Sequence, residues 1–379
     1  MAMTDFLNES YELGPIRPPS EAYSLLVRVT SNCPWNRCKF CPIYKNAKFQ
    51  LRSVEEIKQD IRAARAIYDK ILENARESGN NVREAAAALY SNAPGDACRN
   101  VTLWMYDGGK NAFLQDANTL IMKTPGLIEV IKFLKATFPS IERITSYARS
   151  QTAAHKSLEE LVLLREAGLS RLHIGMESGS DAVLALLDKG VTADDHIAGG
   201  KNVIASGISL SEYVMPGAGG RKLWREHALE TARVLNQINP DFIRLRTLTI
   251  QPRMPLHKDV ISGEFIRSTD EEIVEEIKLF VENLDGTSQI VSDHIINLLP
   301  VGEGKLPEDK EKMLEVIRRF QALPLESRDI YKLGRRLGIF NKLEALNDPA
   351  LRREVEQVIG QIGPGELDDV LFKLMERYI

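Results

Sequence analysis

Apolar positions along this chain alternate between short strand-like runs and longer stretches in which they return at helical spacing. YSLLVRVT (23–30) predicts a strand. Residues 53–90 predict helix, with VEEIKQDIRAARAIYDKILENARE and NVREAAAALY separated by GNN. VTLWMYDGGKNAFLQD (101–116) predicts a hairpin or paired strand turning at DGG. Helix 119–137, strand 143–148, helix 157–167 and strand 171–178 follow, and then two helical stretches across 181–206. Strand 210–216, helix 224–237, strand 242–250 and helix 270–284 complete the series, with a last short strand within 289–300. From LPEDKEKMLEVIRRF onward the pattern is helical and charged.

Strands alternating with helices through right-handed crossovers predict a parallel sheet. The expected fold is α/β, a partial (β/α)6 TIM-type barrel spanning 23–300, with an N-terminal extension over 1–22 and a C-terminal helical extension over 301–379. In such a fold functional groups gather at the C-terminal ends of the strands. The loop holding Cys33, and LQDAN, SYARS, MESGS and VMPGAGG, all fall at such ends.

A chain of 379 residues is long enough for a barrel and an appendage, and 44% hydrophobic content supplies a core without staples. Net charge of −4 and pI near 6.0 argue against a nucleic-acid platform, so no nucleic-acid partner is expected. No apolar run reaches the roughly 18 residues that a membrane span needs. The N-terminal stretch has none of the regions of a signal peptide. Four cysteines, three of them crowded together, make no disulfide framework, which points to a reducing, cytoplasmic location.

Those three are Cys33, Cys38 and Cys41 in VTSNCPWNRCKFCPIYK. Three soft thiolates within nine residues are one ligand short of a closed zinc or cubane site. A cluster held by three cysteines leaves one iron open to bind something else. A structural zinc knuckle would need Cys98 or a histidine from far along the chain. Cys98 itself reads as incidental.

The cysteine loop after the first strand, with Phe40 just before the last cysteine and MESGS on a later strand, resembles the radical S-adenosylmethionine (SAM) superfamily. The usual spacing there is Cys-x3-Cys-x2-Cys, whereas this chain has Cys-x4-Cys-x2-Cys. The resemblance covers about residues 23–250, and the texture is closest to the branch of oxygen-independent coproporphyrinogen oxidase. It implies a 4Fe–4S cluster on Cys33, Cys38 and Cys41 whose open iron chelates SAM. It also implies reductive cleavage of SAM to a 5′-deoxyadenosyl radical that abstracts hydrogen from a substrate. A flavodoxin or ferredoxin type of electron donor is implied as well.

Candidate SAM contacts follow from motif position. Asp116 and Asn118 in LQDAN offer acceptors to an ammonium, or cap the helix after them. Glu177, a carboxylate in an apolar strand, suits two ribose hydroxyls, with Ser178 beside it and Ser180 capping the next helix. Arg149, next to Tyr147, offers a planar fork to the SAM carboxylate. Tyr213 and Met215 flank the glycine-rich VMPGAGG and suit packing against adenine. Arg244 and Arg246 share a strand face and, with His294, are candidates for an anionic small-molecule substrate. His173 reads as a core histidine. With no second cysteine cluster in the sequence, a small or medium organic substrate is the leading expectation. The alternatives are an activase acting on a partner protein, or a non-catalytic iron–sulfur or zinc scaffold.

Overall fold

A computed structural model describes residues 10–300 and 304–377; the first nine residues of the expected N-terminal extension and the start of the C-terminal one lie outside it. Contacts divide the chain into two compact units. The first takes the chain up to Asn36, then Ile43–Ile174 and Gly199–Leu210; the second takes Arg37–Pro42, Gly175–Ala198 and the chain from Ser211 onward.

In the first unit, β1 (Leu25–Arg28) leads into a small antiparallel ribbon of β2 (Thr30–Ser31) and β3 (Gln50–Leu51), which brackets the cysteine loop. Helix α1 (Val54–Ser78) opens on a capping box between Ser53 and Glu56 and closes on Gly79 at φ 70. Its buried stripe of Ile57, Ile61, Ala64, Ile67, Ile71 and Ala75 follows the helical period. Helices α2 (Val82–Tyr90) and α3 (Gly95–Tyr106) precede β4 (Asn111–Gln115).

The expected hairpin over 101–116 is therefore wrong in its first half. Ala97, Cys98, Val101, Trp104 and Met105 share one buried helical face, and Trp104 packs edge-on against Phe138 at 5.1 Å. The β-favouring residues at its start masked that longer period. DGG does turn, with Gly108 and Gly109 both at positive φ.

Helix α4 (Thr124–Thr137), β5 (Arg143–Ala148), helices α5 (Ser150–His155) and α6 (Leu158–Ala167), and β6 (Leu169–Glu177) complete the series. The strand order is β1-β4-β5-β6, all parallel. The interior of this unit holds Phe113, Tyr147 and His173 in edge contact, with His173 Nε2 3.5 Å from the buried Glu21.

After α7 (Asp181–Leu186) and α8 (Ala193–Ala205) comes β7 (Ser209–Val214), then α9 (Gly220–Ile238) and β8 (Phe242–Leu245). Helices α10 (Leu256–Ser262) and α11 (Asp270–Glu282) lead to β9 (Gln289–Val291). In the second unit β7, β8 and β9 run parallel, and β10 (Gly304–Lys305) closes the edge antiparallel. β8 stops sooner than expected because its next residues become a loop, though Arg246 and Leu248 still donate to Val214 and Pro216.

Helices α12 (Lys310–Gln321), α13 (Leu325–Arg336), α14 (Pro349–Ile359) and α15 (Leu367–Met375) form the expected helical C-terminal part. Buried Lys332 pairs with Glu271, and buried Arg336 with Asp270, which tie α13 to the start of α11. The fold class is the expected one, α/β with parallel strands and helical crossovers.

Candidate functional site

The cysteine loop is anchored from β4. Asp116 is fully buried and its carboxylate accepts from the Arg28 guanidinium at 2.8 Å, the Asn32 N–H at 2.9 Å and the Tyr44 hydroxyl. Asn32 precedes the first cysteine and Tyr44 follows the last, so one carboxylate holds both ends of the loop. Three donors fill most of a carboxylate's acceptor directions. Asp116 is thus a loop anchor, with little capacity left for the ammonium it was expected to meet.

The additional residue of the Cys-x4-Cys spacing is accommodated by left-handed backbone at Asn32 (φ 70) and Asn36 (φ 49), a conformation that asparagine tolerates. The Asn36 side chain donates to the Tyr44 and Ala47 carbonyls, and its N–H points at Cys33 Sγ at 3.4 Å.

Asn118 does not cap the helix after it. Its amide bridges to the next strand end, accepting from the Arg149 N–H at 3.2 Å and donating to Thr152 at 2.8 Å. The Arg149 guanidinium lies over the Trp35 ring at 5.3 Å, which brings a cation to the cysteine loop.

Within the second unit, the segment carrying Cys38, Phe40 and Cys41 is held by a Lys39 N–H bond to the Leu187 carbonyl and a Lys39–Asp259 ion pair at 2.8 Å. Phe40 packs on an apolar cluster that includes Val183, Leu187 and Met215. Lys189 Nζ sits 5.7 Å from the Phe40 ring centre and 2.7 Å from Glu177 Oε1.

Glu177 has φ 64, a strained choice for a residue with a side chain, and its carbonyl accepts from the Met215 N–H at 3.0 Å. A Cβ on Gly175 would crowd the ends of the Glu177 and Lys189 side chains, one of which would have to shift.

Neither Lys189 nor Glu212 was singled out from the sequence. Glu212 is fully buried on β7 with no hydrogen-bond partner for either carboxylate oxygen. Burial pushes its pKa well up; Lys189 opposes that and Glu177 adds to it. The signal was present, since LSEYV sets an acid in an apolar strand just as MES does.

The strand-end motifs meet in a buried network. His227 Nδ1 is 2.8 Å from Ser178 Oγ and Nε2 is 3.1 Å from the Met215 carbonyl. Glu276 Oε1 accepts from the Gly217 N–H at 2.7 Å and lies 3.5 Å from His227 Nε2. Burial lowers the His227 pKa to about 4 and raises that of Glu276 to about 8. Ser180 caps α7 as expected.

These shifts act on stability in opposite senses. An unfolded glutamate loses its proton near 4.5 and folded Glu276 near 8, so across that window the folded chain holds more protons and stability falls as pH rises. Folded His227 titrates near 4 against 6.5 unfolded, so its contribution makes stability rise with pH up to 6.5 and then level off. Above pH 6.5 His227 no longer contributes, and Glu276 acts together with Glu212, whose raised pKa works in the same sense. The unfolding free energy of the apoprotein, measured by urea titration, should therefore drop from pH 6.5 to 8, by at most about 1.4 kcal/mol per pH unit for each group, and Glu276→Gln should make the drop shallower.

The three substrate candidates come close together. Arg244 is buried and pairs with Asp293 at 3.0 Å, and half-buried His294 follows Asp293. Burial first, and then the nearby Arg246 charge, lower the His294 pKa to about 4. Tyr213 is half-buried beside Glu212, and Met215 is buried in the apolar cluster.

None of the three loop cysteines is in a disulfide; Cys38 is buried and Cys33 and Cys41 are half-buried. Cys98 is a buried thiol whose pKa burial pushes up. Among the described residues no three His, Cys, Asp or Glu side chains are gathered as a preformed metal-ion site. The fit to a cluster rests on the donor set. Cysteine thiolates are the ligands that iron–sulfur clusters take, and an N–H directed at Cys33 is the kind of contact that tunes a cluster sulfur. Ligand closure on metal loading is ordinary for such sites. The residues fit the group.

No family model matches the chain. A curated tRNA-2-methylthio-N(6)-dimethylallyladenosine synthase of Syntrophus aciditrophicus is 30% identical over 161 residues, covering 40% of this chain and 34% of that one. The chain thus spans about a third of the length of that relative. Among solved structures, coproporphyrinogen III oxidase from Escherichia coli, a radical SAM enzyme, is 15% identical with a TM-score of 0.43, covering 73% of this chain and 54% of that one. The radical SAM methyltransferase TsrM from Kitasatospora setae is 12% identical with a TM-score of 0.45, over 93% and 66%. Among the described residues no helix is long and apolar enough to cross a membrane.

Proposed function

We propose that this chain is a radical SAM enzyme acting on a small organic molecule with an acidic group. The observation that carries the reading is the loop of three cysteines, none in a disulfide, held at both ends by buried Asp116. A 4Fe–4S cluster on Cys33, Cys38 and Cys41 would supply the electron that splits SAM into methionine and a 5′-deoxyadenosyl radical able to take hydrogen from substrate.

The chain's own groups bind and orient. Glu177 offers its carboxylate to the ribose hydroxyls, with Lys189 holding it in place. Arg149, stacked on Trp35, faces the SAM carboxylate, and Asn118 fixes the Arg149 backbone. Tyr213 and Met215 provide the apolar surface for adenine. Arg244, Arg246 and His294 take the acidic group of the substrate. Cysteines without disulfides suit a reducing cytoplasm, and a flavodoxin or ferredoxin type of protein supplies electrons.

Likeness to a tRNA-modifying enzyme over 161 residues favours one second reading, a nucleoside within RNA as substrate. A net charge of −4 weighs against it.

Calorimetric titration of SAM into the anaerobically reconstituted protein tests the site. Glu177→Ala should weaken SAM binding roughly 10- to 100-fold while the cluster absorbance stays that of the wild type. Unchanged affinity would remove Glu177 from the site.

A further inference from the structure

We propose that His227 is the positioning residue that locks the MESGS turn to the VMPGAGG loop and so sets the shape of the SAM pocket; this rests on the SAM-binding reading above. His227 lies on α9, where His227 and Thr231, one turn apart, share a buried face and the neighbouring Glu226 flanks it. That face grips the first motif at three successive residues. Ser178 Oγ meets His227 Nδ1 at 2.8 Å, the Gly179 N–H donates to Thr231 Oγ1 at 2.9 Å, and the Ser180 hydroxyl donates to Glu226 at 2.6 Å. The turn lies so close to α9 that a Cβ on Gly179 would stand 2.4 Å from the Glu230 carbonyl oxygen.

The same imidazole reaches the second motif through the Met215 carbonyl at 3.1 Å. A carbonyl only accepts, so Nε2 carries the hydrogen, and Nδ1 is left to accept from the Ser178 hydroxyl. One neutral ring thus satisfies a donor on one strand end and an acceptor on the next. Ser178 follows Glu177, and Met215 follows Tyr213 by two residues, so shifting either partner moves a residue assigned to SAM. Glu276 holds Gly217 from the other side. His227 touches neither SAM nor substrate in this scheme and acts only through the two loops.

Two readouts test this. The first is SAM affinity of reconstituted His227→Ala, His227→Gln, Ser178→Ala and the Ser178→Ala/His227→Gln pair. His227→Ala should bind SAM at least roughly tenfold more weakly with wild-type iron content. His227→Gln keeps a donor for Met215 and should recover part of the loss. The Ser178→Ala and His227→Gln effects should be non-additive, because both remove one bond. The second readout needs no SAM. Backbone amide exchange of the apoprotein should speed up in both 176–180 and 213–219 in His227→Ala, and not in β4 or β5. If His227→Ala does not fold, the Gln and Ser178→Ala variants carry the same test. Wild-type affinity and exchange in a folded His227 variant, or strict additivity of the pair, would overturn the proposal. A wild-type protein that fails to bind SAM, while His227→Ala still loosens both loops, would overturn the SAM reading and leave the positioning role standing.

Discussion

Replacing any one of Cys33, Cys38 and Cys41 with alanine is expected to abolish cluster assembly and with it all cleavage of SAM. Two thiolates do not hold a cubane, and the chain has no nearby substitute. Cys98 is buried in α3, and no other group of soft ligands is gathered among the described residues. Iron bound after anaerobic reconstitution should fall from about four per chain to background. Cys98→Ala should load as the wild type does. A single-alanine variant that retained four irons and cleaved SAM would contradict the ligand assignment.

Asp116→Ala is expected to have the second-largest effect, through the cysteine loop that Asp116 anchors. Its carboxylate neutralises the buried Arg28 guanidinium and receives the Asn32 N–H and the Tyr44 hydroxyl. Removing one partner of a buried pair costs about 3–5 kcal/mol, mostly from the charge left behind. Arg28 keeps Glu12, a more exposed partner, which places the loss toward the lower end of that range. Both ends of the cysteine loop are released together, so the variant should also lose iron far faster to a chelator. Asp116→Asn, which keeps the shape and part of the hydrogen bonding, should fall between. Urea unfolding and chelator kinetics measure the two effects, and a variant of wild-type stability and iron retention would show that the loop is held by something else.

The strand–helix order was legible because each element carries its own period and cap. Ser53, Asn81, Ser157 and Thr269 each open a helix with an acid three residues on. The one large misreading, a hairpin where α3 runs, came from β-favouring residues at the end of a helix whose earlier turns supplied the period.

At the site, position along the motifs was readable but partnership was not. LQDAN looked like an acceptor for a ligand; the structure gives Asp116 to the cysteine loop, 84 residues away from its partner Asn32. Glu177 was read from its setting in an apolar strand, and the same argument applied to Glu212 would have found it. His227 carried no such mark. It sits within an amphipathic helix, and only the crossing of α9 over two strand ends gives its two nitrogens their partners.

The most direct test of the account is chemical. Protein reconstituted anaerobically with iron and sulfide is mixed with SAM and dithionite, and 5′-deoxyadenosine and methionine are quantified by mass spectrometry. The account predicts both products in equal amounts from the wild type and neither from the triple-cysteine variant. A reduced wild-type sample carrying its full complement of iron that yields no more 5′-deoxyadenosine than that variant would contradict it.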